Sequence, residues 1–222
     1  MPPQSDPLPP LVIHGLTLPG VLTSAAWRPR RRDLDVVEVW SGCASIVQAA
    51  RRQGLFAEPF DLANGPAQDI LTAQGFAAAV RLAMRIRPGG LLAMGPVCSS
   101  FVFANVSNTK RKRDQLQGDV SYRPVRDGNA MALMAAFLFQ VAVSRDVRTS
   151  LENPVSSMMF SFLRPHLAHL GDLPSVIVDR CAFSDEPDGN RCKKPYKFLA
   201  SGWAPQLHLS LRPYTPLHHW AS

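Results

Sequence analysis

Four short segments of this 222-residue chain carry side chains suited to covalent or proton chemistry, and each follows a short apolar or β-branched run. The first is Ser41-Gly42-Cys43-Ala44-Ser45, reached through Glu38-Val39-Trp40. Its glycine and small neighbours let backbone approach a ligand closely at a helix start. The second is Asp61, an acceptor suited to a pair of ribose hydroxyls. The third is Gly95-Pro96-Val97-Cys98-Ser99-Ser100-Phe101, which sets a thiol in a turn. A thiol becomes a nucleophile when ionised. The fourth is Glu152-Asn153-Pro154, a carboxyl group able to hold or move a proton. Each segment also has a plain structural reading. A small-residue turn packs strand against helix, and a cysteine near a strand end is ordinarily a small buried hydrophobe.

What unites the segments is the scaffold the intervening sequence predicts. Strands are expected at Asp35 to Trp40, Ala57 to Asp61, Gly90 to Met94, Arg148 to Glu152 and Ser175 to Cys181, with a closing strand at Lys197 to Ala200. Helices are expected at Ser45 to Gln53, stopped by Gly54; at Phe76 to Ile86, ended by Arg87-Pro88-Gly89; at Asn129 to Ser144; and at Met158 to Leu170. This alternation of β and α builds an α/β fold with a mostly parallel sheet and helices on both faces. In such sheets ligands bind beyond the carboxyl ends of the strands, which is where all four segments fall.

Size and composition agree with one domain and two tails. A chain of 24.4 kDa with 46% hydrophobic and 18% charged residues buries a sizeable core without staples and excludes general disorder. Residues 1–34 are rich in Pro and Arg and read as a tail ending in Arg28-Pro29-Arg30-Arg31-Arg32; residues 35–202 form the α/β domain; residues 203–222 are an irregular tail. The longest apolar run, Ala130 to Val143, is too short to span a bilayer, and the N-terminus lacks a secretory pattern, so an intracellular protein with no membrane contact is expected. The four cysteines are irregularly spaced and read as reduced thiols. A net charge of +7 favours a polyanionic partner, with Lys110-Arg111-Lys112-Arg113 the candidate phosphate contact; a solvated basic loop is the plain alternative.

Taken in order, these segments resemble the cytosine-5 DNA methyltransferase family. In that family a strand and Gly-rich turn binds S-adenosylmethionine, a Pro-Pro-Cys loop supplies a nucleophile and Glu-Asn-Val supplies a carboxylate. The matching positions are Trp40, Ser41 and Gly42, then Pro96 and Cys98, then Glu152. The family's acidic residue after the second strand is similar to Asp61, and its Asp-Ile pair near the adenine ring is similar to Asp69-Ile70. The resemblance covers about residues 35–200, and Lys194-Pro195 matches a segment of reduced, phage-like members. It implies a Rossmann-like methyltransferase fold, S-adenosylmethionine as cofactor, Cys98 and Glu152 as catalytic residues, and nucleic acid, DNA before RNA, as substrate.

The chain departs from the family in having Ala44 and Ser45 where a glycine pair is usual, and in lacking a Gln-x-Arg-x-Arg segment and the target-recognition insertion. The last departure implies a partner chain supplying target recognition. A second reading is therefore a catalytically degenerate module that binds nucleic acid or a protein, and a third keeps the cofactor but changes the acceptor. His166-x-x-His169 with Cys181 and Cys192 lacks the paired spacing of a zinc site, so no metal is expected.

Overall fold

The computed structural model describes residues 31–179 and 195–202. Most of the N-terminal tail, the C-terminal tail, the end of the strand expected to reach Cys181, and Cys181, Cys192 and Lys194 lie outside the described residues.

The strand β1 (Leu34–Val39) is buried along its whole length, as a central parallel strand covered on both faces must be. It is followed by α1 (Ser45–Arg52), β2 (Ala57–Phe60), α2 (Ala73–Arg85), β3 (Ile86–Met94), the short α3 (Val106–Thr109), α4 (Arg123–Val143), β4 (Arg148–Pro154), α5 (Met159–Leu167), β5 (Ser175–Asp179) and β6 (Pro195–Ser201). They form one six-stranded sheet in the order β2-β1-β3-β4-β6-β5. β1 runs parallel to β2 and β3, and β3 parallel to β4, while β6 lies antiparallel to both β4 and β5. This is a Rossmann-like α/β fold of the expected class.

Helices cover both faces. On one side Val36 and Ala57 pack with Val47 and Ala50 of α1. On the other, Val37, Val39 and Leu92 meet Phe76, Phe139 and Phe162 from α2, α4 and α5 in the main core. The chain leaves β1 for β2 on one side and returns to β3 on the other, so the crevice between the ends of β1 and β3 is the topological switch point.

Three boundaries differ from the sequence reading for tertiary reasons. Arg87-Pro88-Gly89 does not separate helix from strand but lies inside β3 as a bulge, with Ile86 paired to Leu34 and Leu91 already paired to Val36. The Arg87 guanidinium there meets the Asp35 carboxylate. α4 begins at Arg123 rather than Asn129, with Pro124 in its first turn, where a missing N–H costs nothing. β4 continues to Pro154 because β6 supplies an antiparallel partner that far, Pro154 opposite Tyr196. Among the described residues no helix is long and apolar enough to cross a membrane.

Candidate active site

A cavity of about 380 Å³ opens at the switch point, a volume within the usual range of small-molecule sites. β1 contributes Glu38 and, just past its end, Trp40 and Ser41; β4 contributes Glu152; β6 contributes Tyr196 and Phe198. The two rings stand two residues apart on β6, the strand period that places both on one face of the sheet. Gly95 completes the floor. A Cβ there would lie 3.3 Å from Glu152 Oε2 and 3.8 Å from the Trp40 carbonyl, so glycine is what allows β1, β3 and β4 to converge so tightly.

The backbone after β1 is strained. Trp40 (φ 56°), Gly42 (φ 51°) and Ala44 (φ 54°) all adopt left-handed conformations, which a non-glycine residue occupies at a cost of roughly 1–2 kcal/mol. Ala44 also precedes α1 without capping it. Glu38 caps the helix instead, its Oε2 accepting a hydrogen bond from the Val47 N–H at 3.0 Å. Burial raises the Glu38 pKa above its ordinary value, and the helix N–H groups of Val47 and Ile46 hold it back. The folded state therefore binds this proton more tightly than the unfolded chain, so Glu38 weakens stability as pH rises from about 4.5 through the raised value.

The sequence-derived residues divide into two sets. Trp40, Ser41 and Glu152 line the cavity. The others do not line it. Gly42 donates its N–H to Asp61 Oδ2 at 2.9 Å, and Asp61 Oδ1 accepts from the Ala63 N–H at 2.9 Å. Asp61 thus ties the turn after β1 to the turn after β2, with both carboxylate oxygens engaged by backbone. Asp69 receives the Leu71 N–H in the lead-in to α2, and Ile70 is withdrawn into the main core. Pro96 is buried and Cys98 half-buried in the loop after β3. The thiols of Cys98 and Cys43 are both free. Asn153 Nδ2 donates to the Pro96 carbonyl at 2.9 Å, so β4 holds the start of the Cys98 loop.

The basic run is corrected in one position. Arg111 is fully buried and bonded to main-chain carbonyls, so it is no phosphate contact. Lys110, Lys112 and Arg113 are exposed. Sequence reasoning also missed Tyr196, Phe198 and the cavity role of Glu38. The available signals were a carboxylate inside an otherwise apolar strand and two aromatics at period two beside a proline. Among the described residues no three His, Cys, Asp or Glu side chains are grouped as metal ligands. His166 packs against the Phe162 ring.

The cavity's chemistry narrows its ligand. Among the described residues it presents two carboxyl groups, three aromatic rings and no Lys or Arg, a lining that suits a cation lying against ring faces better than a phosphate. The Trp40 indole N–H and the Ser41 hydroxyl are buried here without a hydrogen-bond partner among the described residues. These are groups that a polar ligand would satisfy.

No protein-family model matches this chain, and no curated protein does. Among solved structures it is similar to the crystal structure of the S. pombe Dnmt2 methyltransferase, with a TM-score of 0.41 and 14% identity over 75% of this chain and 49% of that one. The chain spans about half the length of that protein.

Proposed function

We propose that this chain is an S-adenosylmethionine-dependent methyltransferase acting on carbon 5 of cytosine in nucleic acid, DNA before RNA, with Cys98 as nucleophile. The observation that carries the reading is the junction of β3 and β4: the Glu152 carboxyl group lines the cavity beside Gly95, and the neighbouring Asn153 holds Pro96, two residues before Cys98. The cofactor fits the residues present. Its sulfonium cation suits a cavity holding Glu38 and Glu152 beside Trp40, Tyr196 and Phe198, and its polar groups suit the unpartnered Trp40 and Ser41 donors.

When bound, the cofactor supplies an electrophilic methyl group. Carbon 5 of cytosine is too weak a nucleophile to take it unaided. The Cys98 thiolate adds to carbon 6 while Glu152 hydrogen-bonds the ring at N3, and the electron pair released into the ring makes carbon 5 enamine-like. Once carbon 5 carries the methyl group, loss of its proton to a base restores the double bond and expels the Cys98 thiolate. A base in a duplex must leave the stack to be gripped from two sides. Exposed Lys110, Lys112 and Arg113 on the Cys98 loop are the phosphate contacts of this reading.

The test is covalent trapping on DNA and RNA containing 5-fluorocytosine, which has no carbon 5 proton to lose. The parent protein forms a stable adduct with cofactor present. Cys98→Ser forms none, and Glu152→Gln forms it at least about a hundredfold more slowly, the usual worth of a positioned acid. Cofactor binding without any adduct from the parent protein would overturn cytosine methylation and favour a degenerate binding module. An adduct that survives Cys98→Ser would displace Cys98 as nucleophile, with the exposed Cys43 next in line.

A further inference from the structure

Arg111 is the largest fully buried side chain among the described residues, and no acidic group pairs with it there. Burial lowers its pKa to about 10, so it stays charged at neutral pH. Burying a lone cation is costly unless hydrogen bonds surround it, and here they do. Nε donates to the Ser100 carbonyl at 2.6 Å and Nη2 to the Ser100 hydroxyl at 3.1 Å. Nη1 donates to the Leu116 carbonyl, and Nη2 reaches the Val125 carbonyl at 3.5 Å. The guanidinium lies 3.8 Å from the centre of the Phe101 ring.

One planar fork therefore joins three stretches of chain: the turn bearing Cys98, the segment ending at Leu116, and the first turn of α4. Two glycines leave it room. A Cβ at Gly118 would stand 2.8 Å from Arg111 Cγ, and one at Gly128 would stand 2.1 Å from the Ser100 hydroxyl. A lysine ammonium offers neither the fork nor the flat face that this arrangement uses.

Resting on the methyltransferase reading, we propose that Arg111 is a positioning residue that locks the Cys98 loop against α4 and so fixes where the thiol meets its substrate. The lock completes a set. The Cys98 carbonyl accepts from the Phe101 and Val102 N–H groups, the Ser99 carbonyl from Asn105 Nδ2, and the Phe101 carbonyl from the Met158 N–H. Arg111 holds the one carbonyl between them, that of Ser100. Misplacing a reacting atom by about 1 Å costs on the order of a hundredfold in rate, which is what a loosened turn would do.

Two readouts on the full chain test this. The first is amide hydrogen exchange over residues 97–102. The second is trapping on a 5-fluorocytosine oligonucleotide, separated into oligonucleotide affinity and bond-forming rate. In Arg111→Met, exchange in the loop accelerates at least about tenfold while β1 and β4 keep their protection, since opening is local. Bond formation slows about a hundredfold and half-saturation moves less than about twofold. Arg111→Lys recovers part of the rate through the retained charge. Ser100→Ala removes one acceptor without a large cavity and gives a smaller change of the same pattern, which covers the case of an Arg111→Met that fails to fold. Unchanged loop exchange in Ser100→Ala and Arg111→Lys overturns the proposal, as does protection lost equally throughout the sheet. If the parent protein traps nothing, the methyltransferase reading has failed, and loop exchange alone still decides whether Arg111 is the lock.

Discussion

After β1 the chain turns through three left-handed residues, Trp40, Gly42 and Ala44, and the Asp61 carboxylate fastens the middle one. After β3 it turns with no positive φ from Gly95 to Thr109, and the carbonyls of Pro96, Cys98, Ser99, Ser100 and Phe101 all receive donors. The first turn, which lines the cavity through Trp40 and Ser41, is strained backbone with unpartnered polar side chains; the loop after β3, which reaches the cavity through Gly95, is relaxed backbone with five carbonyls satisfied. On the methyltransferase reading the two turns suit different purposes. A turn that must bring main chain against a ligand keeps residues in unfavourable conformations and leaves the Ser41 hydroxyl waiting. A loop that must place one side chain accurately uses up its own hydrogen bonds to stop moving.

The contrast breaks most visibly at Phe101, which plugs the second loop into the main core against Phe162, with ring centres 5.4 Å apart, and supports Arg111 on its other side. Phe101→Ala removes a fully buried ring and should cost about 3–5 kcal/mol of stability. Denaturant titration measures this as a lower midpoint. A cost below about 1 kcal/mol would mean that the loop is docked by its hydrogen bonds and not by its ring.

The first turn responds less, because its fastening is half exposed. Asp61→Ala loses the Gly42 tie and the cap on Ala63 and should cost about 1–2 kcal/mol, the range for removing a side-chain cap. Cofactor affinity, read by calorimetry, should fall with it. Affinity lost without any stability change would return Asp61 to direct contact with a ribose; stability lost with affinity intact would leave the turn dispensable for binding.

How much of this was legible in the sequence differs between the two turns. The buried run of β1 and the Gly54 stop of α1, where φ is 76°, are local patterns and read correctly. The start of α4 is read late, just past Gly128, which the structure holds inside the helix. The glycine is there to clear the Ser100 hydroxyl, a contact no local pattern contains. Arg111 misled for the same reason. Within four consecutive cations it reads as an exposed phosphate contact or part of a solvated loop, and only the fold brings it to Ser100, Leu116 and Val125. The pairing of Glu152 with Phe198 across β4 and β6 is likewise set by an antiparallel crossover that the linear order of strands does not reveal.

The smallest expected effect asks whether the strain after β1 is a cost the fold bears or a shape the ligand requires. Ala44 sits at φ 54°, ψ 40°, where its Cβ crowds the backbone, and its side chain makes no capping bond. Ala44→Gly relieves roughly 1–2 kcal/mol of left-handed strain. It also frees the unfolded chain, which takes back about 0.5–1 kcal/mol. The net expectation is a gain of about 0.5 kcal/mol, visible as a small rise in denaturation midpoint. The direction of the accompanying change in cofactor affinity is the sharper measurement. If the turn is already in its binding shape, glycine leaves affinity unchanged or weakens it slightly through added mobility. If Ala44 holds the turn away from that shape, Ala44→Gly tightens binding, and the strain is then a departure from function and not part of it.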